Sequence, residues 1–188
     1  NTLYKELEFF SLLSDAARDE QAASEEGEVE YEVVSDAGDL ARRLDALGEA
    51  PSGVQIMFDL PYVVRGRWVG VAIAPSARNA FYVPISDAML PPLKAYFEDA
   101  ARPKVAHNVK QLIVVLARHD ITINGVAGDT MLASFLVDPE GIIPHRLDQV
   151  TKQYLQRTIR TIKSVTGSGQ KERALSDVPL DEIAPYAS

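Results

Sequence analysis

Three strand-like apolar segments follow one another too closely for helices to fit between them. They are Val54 to Leu60, Trp68 to Ala74 and Ala80 to Ile85, and their links carry the turn and breaker residues Pro61, Gly66, Pro75 and Asn79. Connections this short allow neighbouring strands to pair only antiparallel, so the segment predicts a three-stranded meander. The pattern then becomes helical. Leu90, Leu93, Tyr96 and Phe97 share one face, Lys104 to Ala106 reads as a short buried strand, and helices are predicted over Val109 to His119 and Asp129 to Leu136. Leu147, Val150 and Leu155 line a further helix, and Leu180, Ile183 and Tyr186 a last one. Upstream, Tyr31, Val33 and Val34 suggest a strand, and Ser35 or Asp36 can cap a helix carrying Leu40, Leu44 and Leu47. A meander followed by alternating helices and single strands predicts an α/β fold, a mixed sheet flanked by helices.

The division expected along the chain is an N-terminal helix and acidic linker over 1–28, then one domain over 29–188. Leu3, Phe9, Phe10, Leu12 and Leu13 give the start its helical pattern, and Ala/Glu/Ser-rich residues follow from Ala16 to Gly27. The first residue is Asn, as expected of a piece of a longer chain. The 188 residues contain no cysteine, which removes disulfides, thiolate metal sites and cysteine nucleophiles. No apolar run is long enough to cross a bilayer, so no membrane partner is expected.

A net charge of −8 argues against nucleic acid as a partner, but its distribution is uneven. Ten acids and a single base, Arg18, lie between Asp15 and Asp39. Between Gln149 and Arg173 the balance reverses, with Lys152, Arg157, Arg160, Lys163, Lys171 and Arg173 against Glu172 alone. That stretch is either a solvated helix face and loop or a patch for phosphates.

Asp59 ends the apolar strand Ile56-Met57-Phe58, where open α/β sheets expose ligand sites, although an Asp there also starts turns. Further on, the blocks Lys104-Val105-Ala106-His107-Asn108-Val109-Lys110, Leu116-Ala117-Arg118-His119-Asp120-Ile121 and Gly125 through Pro139 stand in order. His145-Arg146-Leu147-Asp148, Gly167-Ser168-Gly169-Gln170-Lys171 and Val178-Pro179-Leu180 follow them. Together these resemble the 3′–5′ proofreading exonuclease domain of bacterial DNA polymerase I, a family A polymerase. The opening Leu3-Tyr4-Lys5-Glu6-Leu7-Glu8-Phe9 is similar to the segment that precedes it.

The resemblance implies a ribonuclease H-like fold and a bacterial, cytoplasmic, nucleoid-associated protein of replication and repair. It also implies a polymerase domain in the same native chain. Proofreading members hold two divalent ions, Mg²⁺ or Mn²⁺, with four acids in three motifs. Such ions lie about 3.5–4 Å apart and activate water and stabilise the leaving oxygen. Being hard cations that repel one another, they need several carboxylates.

Here the first motif reads Phe58-Asp59-Leu60-Pro61, with Pro61 where the family has Glu. The second reads Asn108-Val109-Lys110-Gln111-Leu112, with Leu112 where it has Asp. Tyr186 stands in the third, whose acid would fall beyond Ser188. Asp59, Asn108 and Tyr186 are therefore read as vestigial, with no catalytic residue and no cofactor expected unless activity is retained. Leu60, Pro61 and Leu112 are expected to fill the former metal cleft with apolar atoms. DNA contact is expected to be weak, through Arg157, Arg160, Lys163, Lys171 and Arg173.

Two alternatives stay open. One is an active exonuclease that recruits other acids (Asp87, Glu98, Asp120 or Asp129) around Asp59. The other is an interaction module using the acidic N-terminal part. Asp129 reads as a helix cap and His107 as a structural histidine. Asn108 either bonds a sugar or phosphate oxygen or ties backbone segments together. Tyr186 either orients a water, as in active relatives, or packs as a helix aromatic.

Overall fold

The computed structural model describes residues 30–59, 63–141, 143–169 and 172–188. The N-terminal helix and acidic linker expected over 1–28, together with Leu60, Pro61 and Lys171, lie outside these described residues.

Among the described residues six strands form one mixed sheet in the order β1-β4-β3-β2-β5-β6. The meander is β2 (Ser52–Phe58), β3 (Trp68–Ala74) and β4 (Asn79–Pro84), paired antiparallel as the short links require. The strand β1 (Glu30–Val33) adds to the far edge parallel to β4. On the other side β5 (Lys104–Ala106) and β6 (Val126–Asp129) continue parallel to β2. Helix α3 (Val109–Ala117) connects β5 to β6, because parallel neighbours need a crossover. The strand β6 is not predicted from the sequence. It is four residues long, contains Gly128, and has no apolar alternation.

The period-2 geometry of β2 splits its side chains between two cores. Val54, Ile56 and Phe58 join Val71, Ile73, Phe81 and Val83 in one buried cluster beneath α1 (Ala37–Asp45), α2 (Leu90–Glu98) and α3. Helix α1 presents Leu40 and Leu44 inward and begins at Asp36, whose carboxylate accepts from Asp39 N–H at 2.7 Å. Met57 faces the opposite side, with Ala72 and Tyr82. It packs against Val165 of α6 (Ile162–Thr166), Leu175 of a 3₁₀ turn (Leu175–Asp177) and Ile183 of α7 (Leu180–Ala187). The short helix α6 is likewise not predicted from the sequence.

The phenol end of Tyr82 lies against Gly70, where any Cβ would clash with it, so only glycine fits there. Helices α4 (Thr130–Val137) and α5 (Leu147–Leu155) flank the β6 side of the sheet. Neither sinks an apolar stripe: α4 buries only Ser134, and Leu155 of α5 remains 66% exposed.

Candidate functional site

Asp59 follows Met57 on the α7 face of β2. Its backbone N–H donates to Arg67 O at 2.9 Å, closing the β2–β3 link. Its Oδ1 accepts from Ser176 N–H at 2.8 Å, so the carboxylate holds the 3₁₀ turn that precedes α7 against the sheet.

Leu112 projects from the second turn of α3 into the first core cluster, where it is 2% exposed. Around it Ile56, Ala106, Asn108 and Gln111 leave a hollow of about 10 Å³, at most the size of one water. Asn108, immediately before α3, adopts left-handed backbone angles (φ 67°, ψ 64°), which Asn tolerates better than most residues. Its side-chain carbonyl is buried and has no hydrogen-bond partner among the described residues.

One carboxylate organises two helix starts. Asp129 ends β6 and accepts from Asn108 N–H (3.0 Å) and Val109 N–H (2.8 Å) at α3, and from Met131 N–H (2.9 Å) and Leu132 N–H (3.3 Å) at α4. Burial pushes this acid up, but the four N–H donors outweigh it and hold it below the usual carboxylate range. These are the bonds of a helix cap.

His107 is committed at both nitrogens. Nε2–H donates to His145 O at 3.1 Å, which leaves Nδ1 to accept from the Thr130 hydroxyl at 3.0 Å. Desolvation lowers its pKa, outweighing the His145 carbonyl, Asp129 and Asp148, which raise it. His145 in turn meets Ser134 Oγ through Nδ1 at 2.6 Å and lies against the Phe135 ring, with centroids 3.7 Å apart. Asp148 joins this neighbourhood; burial raises its pKa, but Gln149 and the two-pronged bond from Arg146 (2.9 and 2.6 Å) outweigh that and hold it low. The run His145-Arg146-Leu147-Asp148 carries this cluster, but its spacing alone assigns none of these partners.

Tyr186 is half-buried on α7. Burial raises its phenol pKa, and the nearby Asp148 charge adds to the rise. It borders a groove of about 660 Å³ that crosses the sheet face, with Met57, His107, Leu147 and Arg160 on its walls. Of the basic stretch, Arg157, Arg160 and Lys163 are exposed. Arg173 makes bonds within the domain. Its half-buried guanidinium donates from Nε (3.2 Å) and Nη2 (2.9 Å) to Val165 O and pairs with Glu182.

The other acids are dispersed. Glu98 pairs with Lys94 at 2.7 Å and accepts from Thr122 N–H at 3.1 Å, while Asp87 opens the 3₁₀ turn before α2. Asp120 ends the α3 region in a left-handed conformation (φ 54°). Among the described residues no group of three His, Cys, Asp or Glu side chains stands close enough to hold a metal ion. No helix among them is long and apolar enough to cross a membrane.

A mixed sheet of this order, flanked by helices on both faces, defines a ribonuclease H-like fold. The solved structure of Escherichia coli RNase D shares it at TM-score 0.62 and 16% identity, over 85% of this chain and 40% of that one. Brucella melitensis NrnC shares it at 0.60 and 19%, over 85% and 73%.

Within that class, the chain belongs to the family described as DNA polymerase I, ribonuclease H-like domain, which matches residues 58–184. Pseudomonas aeruginosa DNA polymerase I is 32% identical over 99% of this chain and 23% of its own length. That of Chloroflexus aurantiacus is 30% identical over 83% and 17%. The solved POL domain of Pol1 from M. smegmatis, in complex with DNA primer-template and dNTP, matches at 25% identity and TM-score 0.61, over 72% of this chain and 24% of that one. The chain thus spans about a quarter or less of these polymerases.

Proposed function

We propose that this domain no longer hydrolyses DNA and serves a bacterial DNA polymerase I as a structural and DNA-contacting module in replication and repair. The observation that carries the reading is Leu112. An apolar side chain buried in the core takes the position that the family gives to a metal-binding acid, and about 10 Å³ of space remains beside it. Asp59, the remaining carboxylate of the first motif, is engaged by Ser176 N–H. A divalent pair needs several carboxylate oxygens at one place, and the residues present do not fit that requirement. Replacing clustered acids with apolar groups removes a repulsion that bound metal would otherwise offset.

DNA contact is assigned to Arg157, Arg160 and Lys163, which are exposed, with Arg160 on the wall of the groove; Lys171 belongs with them by sequence. A soluble, cytoplasmic, nucleoid-associated setting follows from the polymerase reading. So does a polymerase domain in the same native chain.

The test is digestion of a 5′-labelled oligonucleotide with a mismatched 3′ end, by the native-length protein with Mg²⁺ or Mn²⁺. An Asp59→Ala variant is run in parallel. No shortening by either protein is expected. Metal-dependent shortening that disappears with Asp59→Ala would establish a rearranged acid set and refute the loss of hydrolysis.

A further inference from the structure

Helix α4 inverts the usual order of burial. Six of its eight residues are apolar, namely Met131, Leu132, Ala133, Phe135, Leu136 and Val137, yet its one buried residue is Ser134. Leu132 is 57% exposed, Leu136 84% and Val137 69%. Helix α1, by contrast, buries Leu40 and Leu44 and turns Arg42 to solvent.

The helix is seated by polar ties. Asp129 caps it, Ser134 Oγ bonds His145 and Thr130 Oγ1 bonds His107. These fix its underside to the domain and leave the leucine face pointing away. Leu132 and Leu136, four residues apart, lie one above the other on that face. The result is an apolar patch on the order of a few hundred Å², the size at which exposed surface marks an interaction site.

We propose that the outer face of α4 is the docking surface for an apolar patch on the remainder of a DNA polymerase I chain, in the same polypeptide. The inference rests on the polymerase reading above. The relatives carry this fold within much longer chains, of which it makes up 23% and 17% in the two curated polymerases. A patch this size is small for a stable complex between free molecules, which bury about 800 Å² on each partner. Covalent linkage raises the effective concentration to the point where such a patch suffices. That argument selects a neighbour in the same polypeptide over a second copy.

The experiment is carbene footprinting of the native-length protein, with Leu155 of α5, 66% exposed, as the internal reference. Labelling of Leu132 and Leu136 severalfold below that of Leu155, and independent of protein concentration, is the expected result. A Leu132→Gln/Leu136→Gln variant is expected to restore labelling of Val137 and to split thermal unfolding into two transitions. Labelling of α4 at the Leu155 level overturns the proposal. So does protection that vanishes on dilution, which would identify a second copy as the occupant. Primer extension by the same preparation tests the polymerase reading separately: its absence refutes that reading, and the footprint still judges the surface.

Discussion

Replacing Tyr82 with Phe is expected to stabilise the domain. Tyr82 is fully buried on β4, facing the second core cluster, and its hydroxyl has no hydrogen-bond partner among the described residues. Burial pushes its ionisation far above the ordinary tyrosine value, as an apolar setting demands. A buried hydroxyl without a partner forfeits its bond to water, at a cost of about 1–3 kcal/mol. Removing the oxygen leaves a void of roughly 10 Å³, which at about 24 cal/mol per Å³ returns only ~0.2 kcal/mol. The net gain is about 1 kcal/mol or more, a rise in Tm of roughly 2–4 °C for each kcal/mol in a domain of this size.

Urea unfolding followed by Trp68 fluorescence measures it cleanly, since Trp68 is the single tryptophan and is 3% exposed. A loss of stability in Tyr82→Phe would refute the reasoning, because it would mean that the hydroxyl makes a bond in the folded protein. Gly70→Ala is the companion variant. Its Cβ would strike the same ring and so destabilise by about 1–3 kcal/mol through overpacking.

Asp129→Ala removes the cap of two helices at once and is expected to cost about 2–4 kcal/mol in urea unfolding. Because the folded state holds this acid below its ordinary value, its contribution is present above that value and lost as pH falls through the folded one. Stability measured on acidification should therefore fall more in the wild type than in Asp129→Asn. Lys104 gives a slope of the same sign, but in the alkaline range. Burial lowers its pKa to about 8, so the folded protein carries fewer protons than the unfolded chain between about 8 and 10.5, and stability rises with pH across that window. Lys104→Met should flatten the rise in urea midpoints. Asp59→Ala is expected to lose about 1–2 kcal/mol through the freed Ser176 N–H. For DNA, three cations predict a slope of roughly −2 in log K against log salt on single strands, and the Arg157→Ala/Arg160→Ala/Lys163→Ala variant should abolish it in anisotropy titrations.

Local chemistry in the sequence determined a good deal. Short Pro- and Gly-bearing links allow β2, β3 and β4 only an antiparallel meander, and Asp36 and Asp129 stand where helix starts need acceptors for free N–H groups. Leu112 cannot ligate a metal in any fold. Tertiary structure alone decided which chemistry those residues meet. The pairing of β1 with β4 and the addition of β6 to β5 join segments distant along the chain, and no local pattern encodes their partners. Arg173 belongs to a basic run by composition, yet Val165 O and Glu182 claim its guanidinium. The leucines of α4 look like core residues in sequence and stand exposed in the fold. Periodicity reports which face of an element is apolar. Whether anything covers that face depends on packing between elements, which a single stretch of sequence does not contain.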